Sequence, residues 1–596
     1  MGEENLNQIA YVDGGDLSNP RQSIYAHIED GLLKNPDRPA VIFMHQTVRD
    51  FRELLGVAED SPDCDQDPKP SSDFLTITYA QLHQSALDLV SGLIANGLAP
   101  GSTVLCAIPN IAEHALLVWA CALLRLTITA ADPGVLEDTS KLTRFLELVK
   151  PQAAVVYDID VARAIDSASA NLQATPLTLR LIVNKSADDI GSGWKTFRTV
   201  LQDGSSSRMN SQDESRLIEE ARRDDPDRIY AVLFTSGTTS GQPKGCPMRV
   251  GSVTHILESQ SWLINADNCG RVLQQASNAH SIALRHMLQT WRAGGAVVVP
   301  TGRSFAVEDT IDAIRHHGAT FIVLSPTMMH ALEPVLADAA DTNAVNTIHL
   351  GGDAVTKEAL VKCATMFPRA RVFINHGMSE GGGFYTWPFI DRDVSEIPYL
   401  GGICPVGAVA RGARLRVWDS DRSSTAPYRH PGELHVSTDS LIRGYLGGVD
   451  GSSFYRDDER ALWMNTGDVG MMTEDGLVYI LGRSKDAIKR AGIAIMPAAL
   501  ESSIAHFTGA QACVVAVPNP KQGHDPFVVL SSLQDFTQDQ ISDHVLQTFG
   551  GGYALGGLVS LDQIGLTAFP VNGSHKIMKS EVQRAVIEFV ESGTRL

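Results

Sequence analysis

Short apolar runs rich in β-branched residues recur along the chain at 103–108 (TVLCAI), 153–157 (AAVVY), 230–234 (YAVLF), 296–300 (AVVVP) and 320–324 (TFIVL). Each has the length and composition of a buried strand. Between them the apolar positions follow a helical period. After Thr78, for example, Leu82, Leu87, Leu89, Leu93 and Ile94 are apolar, and Gly97 sits where a helix would be capped. Strand, helix and strand in alternation predict crossover connections and parallel sheets. The polar, proline-rich stretch 60–73 predicts a surface loop, and residues 1–20 carry no pattern and are expected to be weakly structured.

Near residue 400 the pattern changes to shorter strands and turns, at 415–419 (LRVWD), 433–437 (ELHVS) and 477–481 (LVYIL). A small αβ unit follows: a helix from Pro497, a strand over 512–518 and a last helix from about Ser580. The expected fold class is α/β, a large N-terminal domain of αβ-layered subdomains with a small β-barrel-like part, then a small α+β C-terminal domain. The break falls just after Gly482-Arg483-Ser484, giving domains 1–484 and 485–596.

With 596 residues, one hydrophobic core does not suffice. A net charge of -20 argues against a nucleic-acid partner, which is held by clustered Lys and Arg. It leaves room for a nucleotide, which needs only local dipoles and one or two cations. The eight cysteines are scattered without metal or CxxC spacing, the pattern of reduced thiols in a cytoplasmic setting. The acidic N-terminus lacks the apolar core of a secretory signal, and no apolar run approaches the ~18–20 residues of a membrane span. Thr594-Arg595-Leu596 loosely matches a peroxisomal address, with the wrong first residue.

The chemistry is carried by 233–245, LFTSGTTSGQPKG, where an apolar strand runs into a loop of hydroxyls and glycines closed by Lys244. Glycines let successive backbone N–H groups converge, hydroxyls add donors, and the lysine adds charge, which together make a nest for phosphate oxygens. No GK[ST] ends the loop, so it is not a Walker A motif. The loop resembles the phosphate-binding signature of the adenylate-forming superfamily, which includes acyl- and aryl-CoA synthetases, adenylation domains of peptide synthetases and beetle luciferase. The usual signature is TSGTTGxPKG, and here Ser240 is one residue more. Further segments resemble the family's motifs in the family's order: Gly351-Gly352-Asp353-Ala354; Asn375-His376-Gly377-Met378-Ser379-Glu380, with His376 for a tyrosine and Ser379 for a threonine; Gly432-Glu433-Leu434 with Gly444-Tyr445; Thr466-Gly467-Asp468; 482–489; and 570–579, with His575 for a glycine.

The resemblance implies an enzyme that joins a carboxylic acid to AMP and then passes the acyl group to a thiol, most often that of coenzyme A. A carrier-protein thiol or an amine is the alternative acceptor. It implies ATP/AMP contacts from Thr235, Ser236, Gly237, Thr238, Thr239, Lys244, Gly351, Gly352, Asp353, Asn375, His376, Gly377, Met378, Asp468 and Arg483. Lys576 on a mobile small domain would bridge the substrate carboxylate and the α-phosphate. Ser379 would donate to the α-phosphate, Glu380 would hold Mg²⁺ and His280 would stand beside the acid. The hinge would be Lys485, about which the Lys489–Gly492 loop swings inward for thioester formation. For Asp468 and Arg483, a plain salt bridge is the competing reading.

The acid pocket is expected from Ser281, Leu284, Ser325, Met328, Gly381 and Gly382, with an apolar lining that suits an aryl, branched or medium-chain acid. Relatives that activate amino acids carry an Asp where this chain has Ser281. A buried ammonium without that carboxylate is costly, so an α-amino acid is disfavoured.

Overall fold

The computed structural model describes residues 9–17, 23–56, 74–170, 172, 177–184, 193–235, 243–300, 305–336, 342–352, 354–448, 451–533, 536–572 and 576–592. Ser236, Gly237, Thr238, Thr239, Ser240, Asp353, His575 and the C-terminal tripeptide lie outside these residues, as does the loop expected at 60–73.

Two seven-stranded sheets form the body. In the first, the runs read as strands from sequence become Thr103–Ala107, Ala153–Val156 and Ile229–Phe234, parallel to their neighbours. Only its edge strand Gly245–Arg249 is antiparallel, folding back on Ile229–Phe234. The second sheet runs parallel through Arg371–Asn375, Thr347–Gly351, Phe321–Leu324, Arg271–Leu273, Ala296–Val299 and Pro39–Phe43. Its edge strand Leu75–Thr78 is antiparallel.

The largest core lies between these sheets, where Trp119 and Trp291 meet edge to face at 5.7 Å. These rings belong to the helices Ala112–Leu123 and Ser281–Ala293, so the second helix is fixed from within the core. The helix Tyr79–Ala95 begins at Thr78, whose hydroxyl accepts from the Gln81 amide while the Thr78 amide donates to Gln81 Oε1, closing a capping box.

Residues 407–483 build most of a nine-stranded antiparallel sheet. One of its strands corrects the sequence reading: Tyr11–Asp13, expected to be weakly structured, pairs antiparallel with Ala413–Asp419. Three residues show no readable period, and their order comes from a partner strand some four hundred positions away. The C-terminal five-stranded sheet begins at Ile488 and carries the helices Pro497–Thr508, Gln538–Phe549 and Lys579–Glu591. Its two core clusters contain no residue before Ile488. The seven described cysteines are free and buried, as expected of small core residues. No helix among the described residues is long and apolar enough to cross a membrane.

Candidate active site

A cleft opens where the C-terminal ends of the parallel strands Thr347–Gly351 and Arg371–Asn375 meet the nine-stranded sheet and the C-terminal unit. Gly351, Gly352, Asn375, His376, Asp468, Arg483 and Lys576 line it. Strands of an α/β sheet end in loops at this edge, and ligands bind there for that reason.

Asp468 and Arg483 meet because they are cross-strand partners on Leu462–Met472 and Leu477–Arg483. Arg483 Nε lies 2.9 Å from Asp468 Oδ1, and Arg483 Nη1 donates to the Thr466 carbonyl at 2.9 Å. The plain ion pair weighed against a ligand-binding role is therefore present. His376 Nε2 approaches the other oxygen of Asp468 at 3.3 Å. Burial pushes the Asp468 carboxyl up, but the bond from His376 and the charges of His376, Arg483 and Lys576 outweigh it and hold the group below its ordinary value. The turn before Asp468 uses Gly467 at φ +74°, and the Asp468 amide donates to Thr466 Oγ1 at 3.1 Å.

Lys576 comes from the C-terminal unit, where it faces Asn572. Its amide donates to Asn572 Oδ1 and the Asn572 amide donates back to the Lys576 carbonyl, both at 3.0 Å. Its side chain reaches the strand-end turn closely enough that a Cβ on Gly352, at φ +87°, would stand 3.9 Å from Lys576 Cε. Beside it, Lys579 Nζ pairs with Glu501 Oε1 at 2.6 Å, both in the cleft wall.

A second group gathers Lys244, Tyr445 and Glu380. Thr235 and Lys244 close the base of the Ser/Gly loop: the Lys244 amide donates to Thr235 Oγ1 at 3.1 Å and the Thr235 amide to the Lys244 carbonyl at 3.0 Å. Lys244 Nζ lies 5.0 Å from the centre of the Tyr445 ring, and the Tyr445 hydroxyl donates to Glu380 Oε1 at 2.6 Å. Among the described residues no three His, Cys, Asp or Glu side chains gather as a metal cage. A lone carboxylate with one oxygen already engaged fits a hard cation that arrives on nucleotide phosphates and keeps most of its waters.

On the other flank, His280 is the N-cap residue of Ser281–Ala293, so Ser281 starts that helix and Leu284 is buried in the main core. The Ser325 hydroxyl is taken as the cap of Pro326–Leu332, accepting from the Met328 amide at 3.2 Å, and a Cβ on Gly352 would stand 4.0 Å from Ser325 Cβ. Met378 and Gly381 exchange backbone bonds, which turns the chain so that Ser379 and Glu380 sit at its tip, both partly exposed. Gly377 is exposed beside it. Lys489 and Gly492 lie on an exposed hairpin outside the cleft. Lys485 lies in the turn Ser484–Asp486, where partial burial holds its ammonium below the usual value.

Several neighbours of these residues escape sequence reading. Gln260 donates to Asn375 Oδ1 at 3.2 Å and fixes that side chain. Tyr445 sits in a motif, but its grip on Glu380 is not encoded in any spacing. Arg285 is buried against Gly381 and Gly382, a charge in a flank expected to be apolar. An arginine on a helix usually reads as solvated, and nothing local marks this one as buried.

The family described as AMP-binding enzyme matches residues 32–446. An acyl–CoA ligase of Pestalotiopsis microspora is 44% identical over 586 residues, covering 98% of this chain and 99% of that protein. The 4-coumarate–CoA ligase 1 of Solanum tuberosum is 26% identical, covering 78% of this chain and 82% of that one. In fold, the chain is similar to ATP-bound MatB of Rhodopseudomonas palustris, with a TM-score of 0.72, 19% identity, and coverage of 95% and 99%.

Proposed function

This chain belongs to the AMP-binding enzyme family, and from that premise we propose how its cleft performs the work of an AMP-forming acid–thiol ligase. The enzyme uses ATP to activate a carboxylic acid and forms the coenzyme A thioester. A carboxylate oxygen bonds to the α-phosphorus, the bond from that phosphorus to the β-phosphate oxygen breaks, and pyrophosphate leaves. The thiol sulfur then bonds to the acyl carbon, its proton goes to solvent or base, and AMP leaves.

Two anions must meet in the first step, so the protein has to supply positive charge where they touch. Lys576 does this, bridging the acid and the α-phosphate from the small domain. The observation that carries the reading is its position: the ammonium-bearing chain lies against Gly352 in the cleft that also holds Asp468. Asp468 accepts from the ribose hydroxyls, while Arg483 and His376 keep it ionised. Asn375, His376, Gly377 and Met378, with Gly351, Gly352 and Asp353, frame the adenine. Thr235 to Thr239 and Lys244 hold phosphates, and Ser379 donates to the α-phosphate. Glu380, steadied by Tyr445, would hold the magnesium that neutralises the leaving pyrophosphate. His280, Ser281, Leu284, Ser325, Met328, Gly381 and Gly382 surround the acid. With no carboxylate at Ser281 and a guanidinium nearby, an α-amino acid is disfavoured.

The small domain, residues 485–596, turns about Lys485 between the two steps. Support comes from its separate cores and from the two faces it presents: Lys576 is in the cleft while the Lys489–Gly492 hairpin is exposed. The test is a panel of carboxylic acids scored for pyrophosphate and AMP, with and without coenzyme A. The reading requires AMP, and acyl thioester only when coenzyme A is present. Formation of ADP, or indifference to the thiol, would refute it. In the same assay Lys485→Pro should spare pyrophosphate release and slow the thioester step, and equal loss of both steps would remove the hinge.

A further inference from the structure

Ser281, Arg285 and Gln289 stand one helical turn apart on a single face of Ser281–Ala293. Arg285 is 8% exposed and Gln289 is 1% exposed. Neither has the partners such burial demands. Among the described residues Arg285 has no carboxylate within ion-pair reach. Its Nη1 donates to the Gly381 carbonyl at 3.2 Å, its Nη2 reaches only the Met248 sulfur at 3.9 Å, and its buried Nε bonds to nothing. Both amide atoms of Gln289 are likewise buried and unbonded.

Anchoring one backbone carbonyl does not require a five-donor cation. A buried guanidinium without a counter-ion is expensive, and burial alone lowers its pKa to about 10 despite the opposing charge of Glu380. Glycine rather than a larger residue stands where the chain packs closely on the guanidinium. A Cβ on Gly382 would come within 2.9 Å of Arg285 Nη1, and one on Gly377 within 3.7 Å. Gly382 belongs to the flank assigned above to the acid and Gly377 to the neighbouring nucleotide contacts, so the unpaired donors adjoin the place where the activated acid would lie. The guanidinium fork matches a paired-oxygen acceptor.

We propose that Arg285, with Gln289 behind it, recognises a second anionic oxygen group on the acid, either a carboxylate or an ionised phenol, at the end remote from the carboxylate that is adenylated. This deepens the ligase reading and rests on it. An acid whose far end is purely alkyl leaves the guanidinium uncompensated and is a poor substrate. A bound anion completes the ion pair and offers oxygen to the idle donors.

The test uses the full-length enzyme and matched acids of one carbon skeleton, bearing a second carboxylate, an acidic phenol, or the methyl ester or ether of each. The readout is kcat/KM for pyrophosphate release. The better anionic member should exceed its neutral partner by roughly 30-fold or more, as expected for a buried charge pair, and the two anionic arms show which oxygen acid is meant. Arg285→Gln should bring that ratio to within about threefold of unity through KM for the anionic acid, with Arg285→Lys between. Gly382→Ala, which pushes the guanidinium aside, should act in the same direction and serves if the arginine variant does not fold. A wild-type preference for the neutral members, or a ratio that Arg285→Gln leaves unchanged, overturns the proposal. Absence of pyrophosphate release with every acid would overturn the ligase reading and this proposal with it, whereas turnover without preference overturns this proposal alone.

Discussion

Asp468 and Arg285 are both charged and both buried, yet their surroundings differ in kind. Asp468 is met by His376 at 3.3 Å and Arg483 at 2.9 Å and also feels Lys576. Arg285 has one carbonyl and a thioether. A charge whose partners are built into the fold is part of what holds the site together before any ligand arrives. A charge left without them costs stability in the empty protein and gains its partner only from outside. By this measure the Asp468 side, which we propose holds the nucleotide, is preorganised, and the Arg285 side, which we propose meets the acid, is poised.

The largest effect expected is on the cation that the C-terminal unit brings to the preorganised side. Lys576→Ala should lower acid-dependent ATP–pyrophosphate exchange by about 10²–10³-fold, the usual cost of losing one donor to developing charge. Its melting temperature should stay near that of the wild type, because the side chain is only partly buried. Near-normal exchange in this variant would take Lys576 out of the chemistry. Asp468→Asn tests the built-in partners. It should reduce unfolding free energy by about 2 kcal/mol, the scale for hydrogen bonds to a charged group, and raise KM for ATP. The pH dependence has a definite sign. The folded-state pKa of Asp468 lies below its unfolded value, so its stabilisation is present above the unfolded value of about 4 and is lost as pH falls through the folded one. Wild type and variant should therefore differ fully near neutral pH and converge below about pH 4. A gap that persists in acid would show that geometry, not charge, makes the difference.

Arg285→Met asks the opposite question of the poised side. Without ligand this variant should be as stable as the wild type, or more stable by about 1 kcal/mol, since an uncompensated buried charge gives way to an apolar chain of similar length. Chemical denaturation of the empty protein measures it. A loss of more than 2 kcal/mol would mean that the bond to Gly381 makes Arg285 a structural strut, and the contrast with Asp468 would collapse.

What sequence could reveal follows the same division. The strand Ile229–Phe234 and the helix Tyr79–Ala95 were legible because apolar runs, periodicity and a threonine cap are local signals. The cleft residues His376, Asp468 and Arg483 were legible as members of motifs, though their pairing was not. His376 and Asp468 lie ninety-two positions apart and meet only because two sheets abut, while Asp468 and Arg483 meet through strand register. Tyr11–Asp13 was illegible because its order is borrowed from Ala413–Asp419. Arg285 was illegible because its neighbours Leu284, His286, Met287 and Leu288 set the helical pattern, and a single arginine among them carries no mark of burial.

The smallest expected effect lies between the two regions, at Tyr445. Its hydroxyl donates to Glu380 Oε1 at 2.6 Å while its ring lies 5.0 Å from Lys244 Nζ, so one side chain touches both an anion and a cation. Tyr445→Phe keeps the ring, its edge-to-face contact with Phe454 and the cation above it, and removes only the hydroxyl. The lost bond is worth about 1 kcal/mol, so kcat/KM for ATP should fall about fivefold. If Tyr445 acts by steadying Glu380 for a cation, the loss should appear as a higher magnesium concentration for half-maximal rate and shrink at saturating magnesium. A fall of the same size at every magnesium concentration would mean that the hydroxyl serves the fold of the turn instead. Glu380 would then have no fixed orientation before ligand arrives, and this carboxylate would belong with Arg285 on the poised side rather than with Asp468.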